Sequence, residues 1–254
     1  MIDIHCHILP SIDDGSKHFA ESIEMAKEAY SQGITTIIAT PHHKNGTYEN
    51  DAETVKSIVE QLNTRLEQEE LPVTICSGQE VRIYGELIDD ILEKRILSLN
   101  GSQYILVEFP SDHVPRYAEK LLFDIQLKGY IPVIAHPERN REIMTNPKLL
   151  LNLVKKGAAS QVTAASITGK FGKNIKKFSL QLIESNLTHF MASDAHNRTN
   201  RNFQFENGLD VIKKEFGQDY VYLFTENAEL LSEGKTIIRE TPFEVRKRKI
   251  LGLF

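Results

Sequence analysis

Cysteine is scarce. Only Cys6 and Cys76 occur in 254 residues, they form no C-x-x-C, and this usage points to a reducing compartment. Apolar runs are short. None approaches the ~18 residues that span a bilayer, and no basic segment with an apolar stretch behind it marks a secretory signal. The expectation is a cytoplasmic chain with no transmembrane segment. Positive charge is not in excess either: the net charge of −5 argues against whole-protein attraction to nucleic acid or to an acidic membrane. Glycine-rich phosphate loops are missing, since "SGQEVRIYGE" and "GKFGKN" contain glycines without P-loop or G-x-G-x-x-G spacing. Internal repeats, low-complexity segments and long linkers are absent too. What remains is an ordinary globular mixture, 41% hydrophobic and 26% charged, able to bury a full core without disulfides or structural zinc.

Within that mixture, short apolar runs alternate with amphipathic stretches. The runs cover residues 2–6, 34–39, 73–76, 104–109, 131–135, 159–163 and 190–193. Most are continuous and β-branched, as strands buried on both faces of a parallel sheet are. Helical patterns fall at 19–32, 51–69, 115–128, 147–156 and 173–185. The first carries Ile23, Ala26 and Tyr30 on one side, and Glu21, Glu24 and Lys27 on the others. Gly33, Gly129 and Gly157 close helices just before a strand begins. Strands that alternate with helices leave an open doubly wound sheet or a closed or distorted (β/α) barrel.

The polar residues at the strand ends carry the chemistry. The first strand ends in His5 and His7, whose rings share a side because strand side chains alternate with period two; Asp13 and Asp14 follow within a turn's reach. The second ends in "TPHH" with His42 and His43, the third runs into "SGQE" with Glu80, and the fourth ends in "VEFP" with Glu108. The fifth ends in "AHPERN" with His136, the seventh in "SDAHN" with Asp194 and His196. In a parallel barrel these ends lie on one rim, so residues far apart in the chain converge. Imidazoles and carboxylates without a thiolate pattern suit Mn, Fe or Zn, and this many donors imply more than one ion. Sites of that kind activate water and clamp phosphoryl oxygens.

"IDIHCH", "TPHH", "AHPER" and "SDAH" resemble the four motifs of the polymerase-and-histidinol-phosphatase (PHP) metallohydrolase superfamily. "MIDIHCHILPSIDDG", "GQEVRIYGE", "LKGYIPVIAHPERN", "SDAHN" and "TENAELL" look like one branch of it, the CpsB/CapC family of manganese-dependent bacterial protein-tyrosine phosphatases. The resemblance implies an α/β fold, a distorted (β/α)7 TIM-like barrel of the PHP type over residues 1–240, with a basic C-terminal tail at 241–254. It implies three divalent metals, Mn2+ first, with Fe or Zn as alternatives. His5, His7, Glu80 and Asp194 would hold one metal; Glu80 would bridge to a second with Glu108 and His136; Asp14, His42 and His196 would hold the third. Arg139 and Arg201 would bind the substrate phosphate, with Arg198 nearby, and His42 or His196 lies in the region of the leaving group. Arginine suits the task because its planar fork matches phosphate oxygens. The implied substrates are phosphotyrosine proteins, a bacterial tyrosine autokinase and its targets in capsule and exopolysaccharide regulation. The competing activity is a small-molecule phosphatase of the histidinol-phosphate type.

Other residues read more plainly. His43 is expected to turn away from His42 or to act behind it, Asp3 to orient His5 or serve structure, and Asp13 to shape a turn. His18, His113 and His189 read as surface or interface residues, Arg141 and Arg198 as solvated charges. Tyr48, Phe109 and Tyr117 are expected near the rim. "CSGQEVR" has the C-x5-R spacing of thiol-dependent phosphatases, yet Cys76 ends an apolar run, where thiols are buried and unreactive. The tail "EVRKRKILGLF" reads as a solvated end or as a weak membrane-surface contact.

Overall fold

β-branched and apolar runs form the strands. The structure, a computed structural model, describes residues 1–245. Its strands are β1 (Ile2–Cys6), β2 (Thr36–Ala39), β3 (His42–His43), β4 (Thr74–Ser77), β5 (Glu80–Arg82), β6 (Tyr104–Glu108), β7 (Ile131–Ala135), β8 (Ala159–Thr163) and β9 (Phe190–Ala192). Every ladder is parallel. Each expected run carries a strand, but β3 and β5 were not expected. Thr40 and Pro41 separate β2 from β3, and Gly78 and Gln79 separate β4 from β5. Hydrogen bonding therefore divides the strands into two sheets, β1-β2-β4 and β3-β5-β6-β7-β8-β9, instead of one continuous ring of ladders. The sheets meet again at a parallel bridge between Cys6 and Ala195. There His7 N donates to Ala195 O and Asp194 N donates to His5 O, both at 2.8 Å.

Helices return the chain between strands: α1 (Phe19–Ser31), α2 (Ala52–Gln68), α3 (Leu87–Leu92), α4 (Ala118–Leu127), α5 (Arg141–Thr145), α6 (Lys148–Lys155), α7 (Ala164–Thr168), α8 (Lys173–Glu184), α9 (Phe205–Phe216) and α10 (Gln218–Ser232). The five expected helices are present. Side-chain caps fix two of their starts: His18 Nδ1 accepts from Glu21 N at 3.1 Å, and Asp51 Oδ1 accepts from Thr54 N at 2.9 Å. The buried face of α1 is Ser22, Met25, Ala26 and Ala29, whereas Tyr30, expected on the apolar side, is exposed.

Period-two alternation sorts strand residues into two layers. Ile4, Ile38, Leu106, Val133 and Phe190 enter an inner cluster that Ala228 and Leu231 of α10 help to close. Ile105, Val107, Ile134, Val162 and Met191 face the helices. Residues at the expected start of the tail are held in place: Phe243 N donates to Ser185 O at 3.1 Å, and Val245 packs on the core. The rest of the expected tail, including its membrane-contact reading, lies outside the described residues. No helix among the described residues is long and apolar enough to cross a membrane.

Candidate metal centre

The C-terminal ends of the strands bring the histidines and carboxylates to one place. β1 ends beside β9 through the bridge, so His5 and His7 meet Asp194: His5 Nε2 lies 3.4 Å and His7 Nε2 3.3 Å from Asp194 Oδ1. The β3–β5 register sets His42 opposite Glu80, with His42 Nδ1 2.8 Å from Glu80 Oε2. From β6 and the turn after β7 come Glu108 and His136; His136 Nε2 is 2.7 Å from Glu80 Oε1 and 3.9 Å from Glu108 Oε1. Asp14 closes the other side, its Oδ1 3.4 Å from His42 Nε2 and 3.3 Å from His196 Nε2. His136 and Asp194 hold left-handed backbone, φ 32° and 51°, a strained geometry for non-glycine residues that turns their side chains into the site.

Three groups of donors lie close enough to share an ion: His7, Asp14, His42 and His196; His5, His7 and Glu80; and His42, Glu80 and Glu108. These groups take in seven of the nine ligand candidates; His136 and Asp194 belong to none of them, though His136 lies 2.7 Å from Glu80 and Asp194 3.3 Å from His7. The geometry gives His7 and His42 to two groups each, where the resemblance gives each to a single metal.

Hydrogen bonding fixes which ring nitrogens carry lone pairs. His7 Nδ1 donates to Asp13 Oδ2 at 2.7 Å, and His196 Nδ1 donates to Asp194 O at 2.9 Å. Both acceptors lack protons, so in the neutral rings each Nε2 is a bare acceptor. His7 Nε2 nevertheless faces carboxylate oxygens, with Glu80 Oε2 at 3.5 Å, and His5 Nε2 at 3.2 Å. His42 Nδ1, Glu80 Oε2 and His196 Nε2 are all buried without hydrogen-bond geometry to a partner. Acceptors aimed at one another in a buried space are unfavourable alone and are what divalent cations satisfy, so the donor set fits metals.

The charges are tightly linked. Burial pushes the Glu80 carboxyl up, but His5, His42 and His136 outweigh it and hold Glu80 well below the usual carboxylate range. Burial and the neighbouring Glu80 charge raise Glu108 to about 7, although Arg82 pairs with it at 2.9 Å. For Asp194, burial is outweighed by Arg139 and His5, and the group sits well below its ordinary value. Burial and Arg139 lower His136 to about 4; burial and His7 lower His196 to about 4.

A cavity of about 280 Å³ opens on this cluster, with His42, Glu108, Phe109, His136, Arg139 and Arg201 among its walls. Arg139 Nη2 pairs with Asp194 Oδ2 at 2.7 Å, and Arg201 Nη1 with Asp14 Oδ2 at 3.0 Å. Arg198 turns away to Glu24 of α1. The Tyr48 ring stacks on His42 with centroids 6.2 Å apart, while the Tyr117 hydroxyl donates to Ile83 O outside the cavity.

Sequence reasoning missed several supporting residues. Gln161 Oε1 lies 3.0 Å from His5 Nδ1, Arg82 holds Glu108, and buried Glu138 accepts from Thr163 N and Ser166 Oγ. Only strand position flagged Gln161, and Glu138 was visible solely as part of "HPERN". Asp13, expected to shape the turn, does so by accepting from Gly15 N and also holds His7. Asp3 is buried and accepts from Ser193 N at 2.9 Å. His43 Nδ1 donates to Asn50 O, away from the cluster. His189 is not a surface residue: it is buried, and burial and Arg239 lower it to about 3. Burial raises the Cys76 thiol, and Cys76 does not border the cavity.

Fold and site define an α/β protein of parallel strands with a cluster of imidazoles and carboxylates at the strand ends whose donors fit divalent cations. More particularly, the chain belongs to the CpsB/CapC family, described as capsular polysaccharide synthesis, whose sequence profile matches residues 1–233. It is 59% identical over its whole length, and the relative's, to tyrosine-protein phosphatase YwqE of Bacillus subtilis (strain 168). It is 43% identical to the putative tyrosine-protein phosphatase CapC of Staphylococcus aureus, covering 98% of both chains. The fold superimposes, with a TM-score of 0.95 and 59% identity over 97% of this chain and 100% of the other, on a chain from the crystal structures of YwqE from Bacillus subtilis and CpsB from Streptococcus pneumoniae, described as unique metal-dependent tyrosine phosphatases.

Proposed function

We propose that this chain is a metal-dependent protein-tyrosine phosphatase. Its substrates are phosphotyrosine proteins in a reducing, cytoplasmic compartment, a bacterial tyrosine autokinase and its targets in capsular polysaccharide control among them. One observation carries the reading: nine imidazole and carboxylate donors converge at the strand ends, and five of them line one cavity with two arginines, in a chain alike end to end to a tyrosine-protein phosphatase. The accompanying fold reading is a distorted (β/α)7 barrel of the PHP type over residues 1–240. β2 with β3 and β4 with β5 count as two bent strands, and the Cys6–Ala195 bridge joins first strand to last.

His5, His7, Asp14, His42, Glu80, Glu108, His136, Asp194 and His196 are the proposed ligands of three divalent ions, manganese first, with iron or zinc also compatible with the donors. Divalent metals held there supply Lewis acidity toward phosphoryl oxygens and lower the pKa of water from 15.7 toward about 7. The chain's own residues do the rest. Arg139 and Arg201 reach the cavity already oriented by Asp194 and Asp14, so their guanidinium forks meet phosphate oxygens with little rearrangement. Phe109 in the cavity wall and Tyr48 against His42 offer apolar surface to a phenyl ring. A phenolate leaves readily, since its conjugate acid has a pKa of about 10. His42 borders the cavity whereas His196 is enclosed, so His42 is the better placed of the two to reach the leaving oxygen.

The test is phosphate release from a phosphotyrosine peptide and, in parallel, from histidinol phosphate, after chelator stripping and Mn2+ reloading. Peptide turnover restored only by metal is the expected result. Peptide turnover that survives chelation would return the chemistry to Cys76. Metal-dependent turnover confined to histidinol phosphate would overturn the substrate.

A further inference from the structure

The segment "GKFGKNIKKF" is unused by the site described above, yet it lies beside it. Phe171 sits in the loop between α7 and α8, and the Arg139 guanidinium lies over its ring, 5.5 Å from the centroid. α8 also packs against the turn formed by Pro137–Arg139, whose Pro137 and Arg139 line the cavity. Lys170 precedes Phe171 directly, and Lys173, Lys176 and Lys177 follow on the first turns of α8. Three of these lysines share one helical face, since spacings of three and four residues do so.

Four lysines and no acidic residue occupy positions 170–177 of a chain whose net charge is −5. None of the four has an ion-pair partner among the described residues, whereas Lys27, Lys56, Lys120 and Lys156 elsewhere on the surface each pair with a carboxylate. Lys173, Lys176 and Lys177 line a surface depression of about 410 Å³, whose walls also include Glu184 and Glu215, neither of them ion-paired with these lysines. The Lys176 side chain lies across Gly169, where a Cβ would come within 3.2 Å of Lys176 Cδ, so its stem points back toward the loop that carries Phe171. Unneutralised positive charge beside the proposed phosphate arginines fits an anionic partner. A phosphotyrosine protein brings its own anions to this place when acidic side chains flank the phosphorylated residue.

We infer that the 169–172 loop and the first two turns of α8 form a docking surface for acidic residues flanking the phosphotyrosine of a protein substrate. The inference rests on the phosphatase reading and adds substrate preference to it. Lys170, Lys173 and Lys177 supply the field, and the arginines of the cavity hold the phosphate itself. A free aryl phosphate has no flanking acidic residues to offer the surface. Because the lysines are exposed, their attraction is screened by salt over about 10 Å at 0.1 M ionic strength.

The experiment uses the full chain loaded with Mn2+ and three substrates: a phosphotyrosine peptide with Asp and Glu on both sides, the same peptide with Ser and Gln there, and p-nitrophenyl phosphate. The expected result is a kcat/KM about five- to tenfold higher for the acidic peptide at low salt, the range that a few exposed charge pairs supply. Lys170→Gln/Lys173→Gln/Lys177→Gln should bring the two peptides to parity and leave p-nitrophenyl phosphate turnover and the thermal midpoint unchanged. A triple variant with the wild-type peptide ratio overturns the inference and leaves the phosphatase reading intact. Loss of binding to phosphatidylserine vesicles at an unchanged peptide ratio also overturns it, by giving the surface to a membrane. Absence of turnover of all three substrates with metal present overturns the phosphatase reading and the inference together.

Discussion

Asp13 and Asp14 are neighbours in the chain with different partners. Asp14 reaches outward to His42, His196 and Arg201. Asp13 turns inward, accepts from His7 Nδ1, and accepts the backbone N–H groups of Gly15 and His42 as well. It therefore fixes the His7 tautomer that leaves Nε2 free, and it ties the loop after β1 to β3. The pair "DD" shows two carboxylates but not this division, which depends on how the turn closes in space. Asp13→Asn keeps an acceptor and removes the charge that stabilises the His7 N–H. The expected outcome is Mn2+ affinity weakened about 10- to 100-fold, with activity recovered at higher Mn2+, the usual cost of losing the partner of a ligand histidine. A Mn2+ titration of activity beside calorimetric binding checks this, and an unchanged affinity would remove Asp13 from the machinery.

At the scale of elements, the turn from β1 to α1 depends on one glycine. Gly15 lies so close to His7 that a Cβ would come within 2.0 Å of His7 O and 2.6 Å of His7 Cβ. Both contacts are with the backbone or root of a ligand candidate, which cannot swing aside as the tip of a flexible chain can. Gly15→Ala should push the loop off β1, displace Asp14, and destabilise the chain by roughly 1–3 kcal/mol, the usual range for overpacking. Chemical denaturation would show the stability loss and metal titration the loss of the site; a wild-type midpoint would mean the loop relaxes freely. Close approach also explains what the sequence hid. α9 carries Gly208 in its interior, a poor helix former, yet a Cβ there would meet Met191 Sδ at 2.8 Å, so packing against β9 overrides propensity. β7, IPVIA after Gly129, was legible to the residue because a continuous apolar stretch behind a helix stop has few alternatives, and the apolar residues recurring in β1 (IDIHC) and β8 (ASQVT) placed those strands at the bounds they have. β3 and β5 were not legible, since two- and three-residue strands rich in His, Glu and Arg carry no apolar period and exist through their neighbours' register.

For the whole molecule, the decisive fact is that strand ends distant in sequence share one small buried volume. That convergence was legible for a physical reason: most of the proposed ligands stand at or just past strand termini, and parallel strands place all such termini on one side. The supporting partners were less legible, because Gln161, Arg82 and Glu138 matter through contacts that no local pattern encodes. The same convergence makes the site costly to hold without a cation. Glu80 and Glu108 are close enough that burial and Glu80 push Glu108 up to about 7, and the His5 and His7 nitrogens face each other. Anything that binds the folded chain here and not the unfolded one must stabilise it by mass action, by about 2.7 kcal/mol for one site at a ligand concentration 100 times Kd. For a chain of this size about 1 kcal/mol shifts the thermal midpoint by roughly 2–4 °C, so each ion bound at that level should raise it by about 5–10 °C. The measurement is a pair of melts on chelator-stripped protein, with and without Mn2+, repeated on His5→Ala and Asp14→Ala. Those residues belong to different donor groups, so each variant should keep part of the shift and lose part. A midpoint indifferent to Mn2+ in the wild-type chain would show that the donors do not bind the ion in the folded state, whatever their arrangement. Equal and complete loss in both variants would show that the groups fill as one cooperative unit.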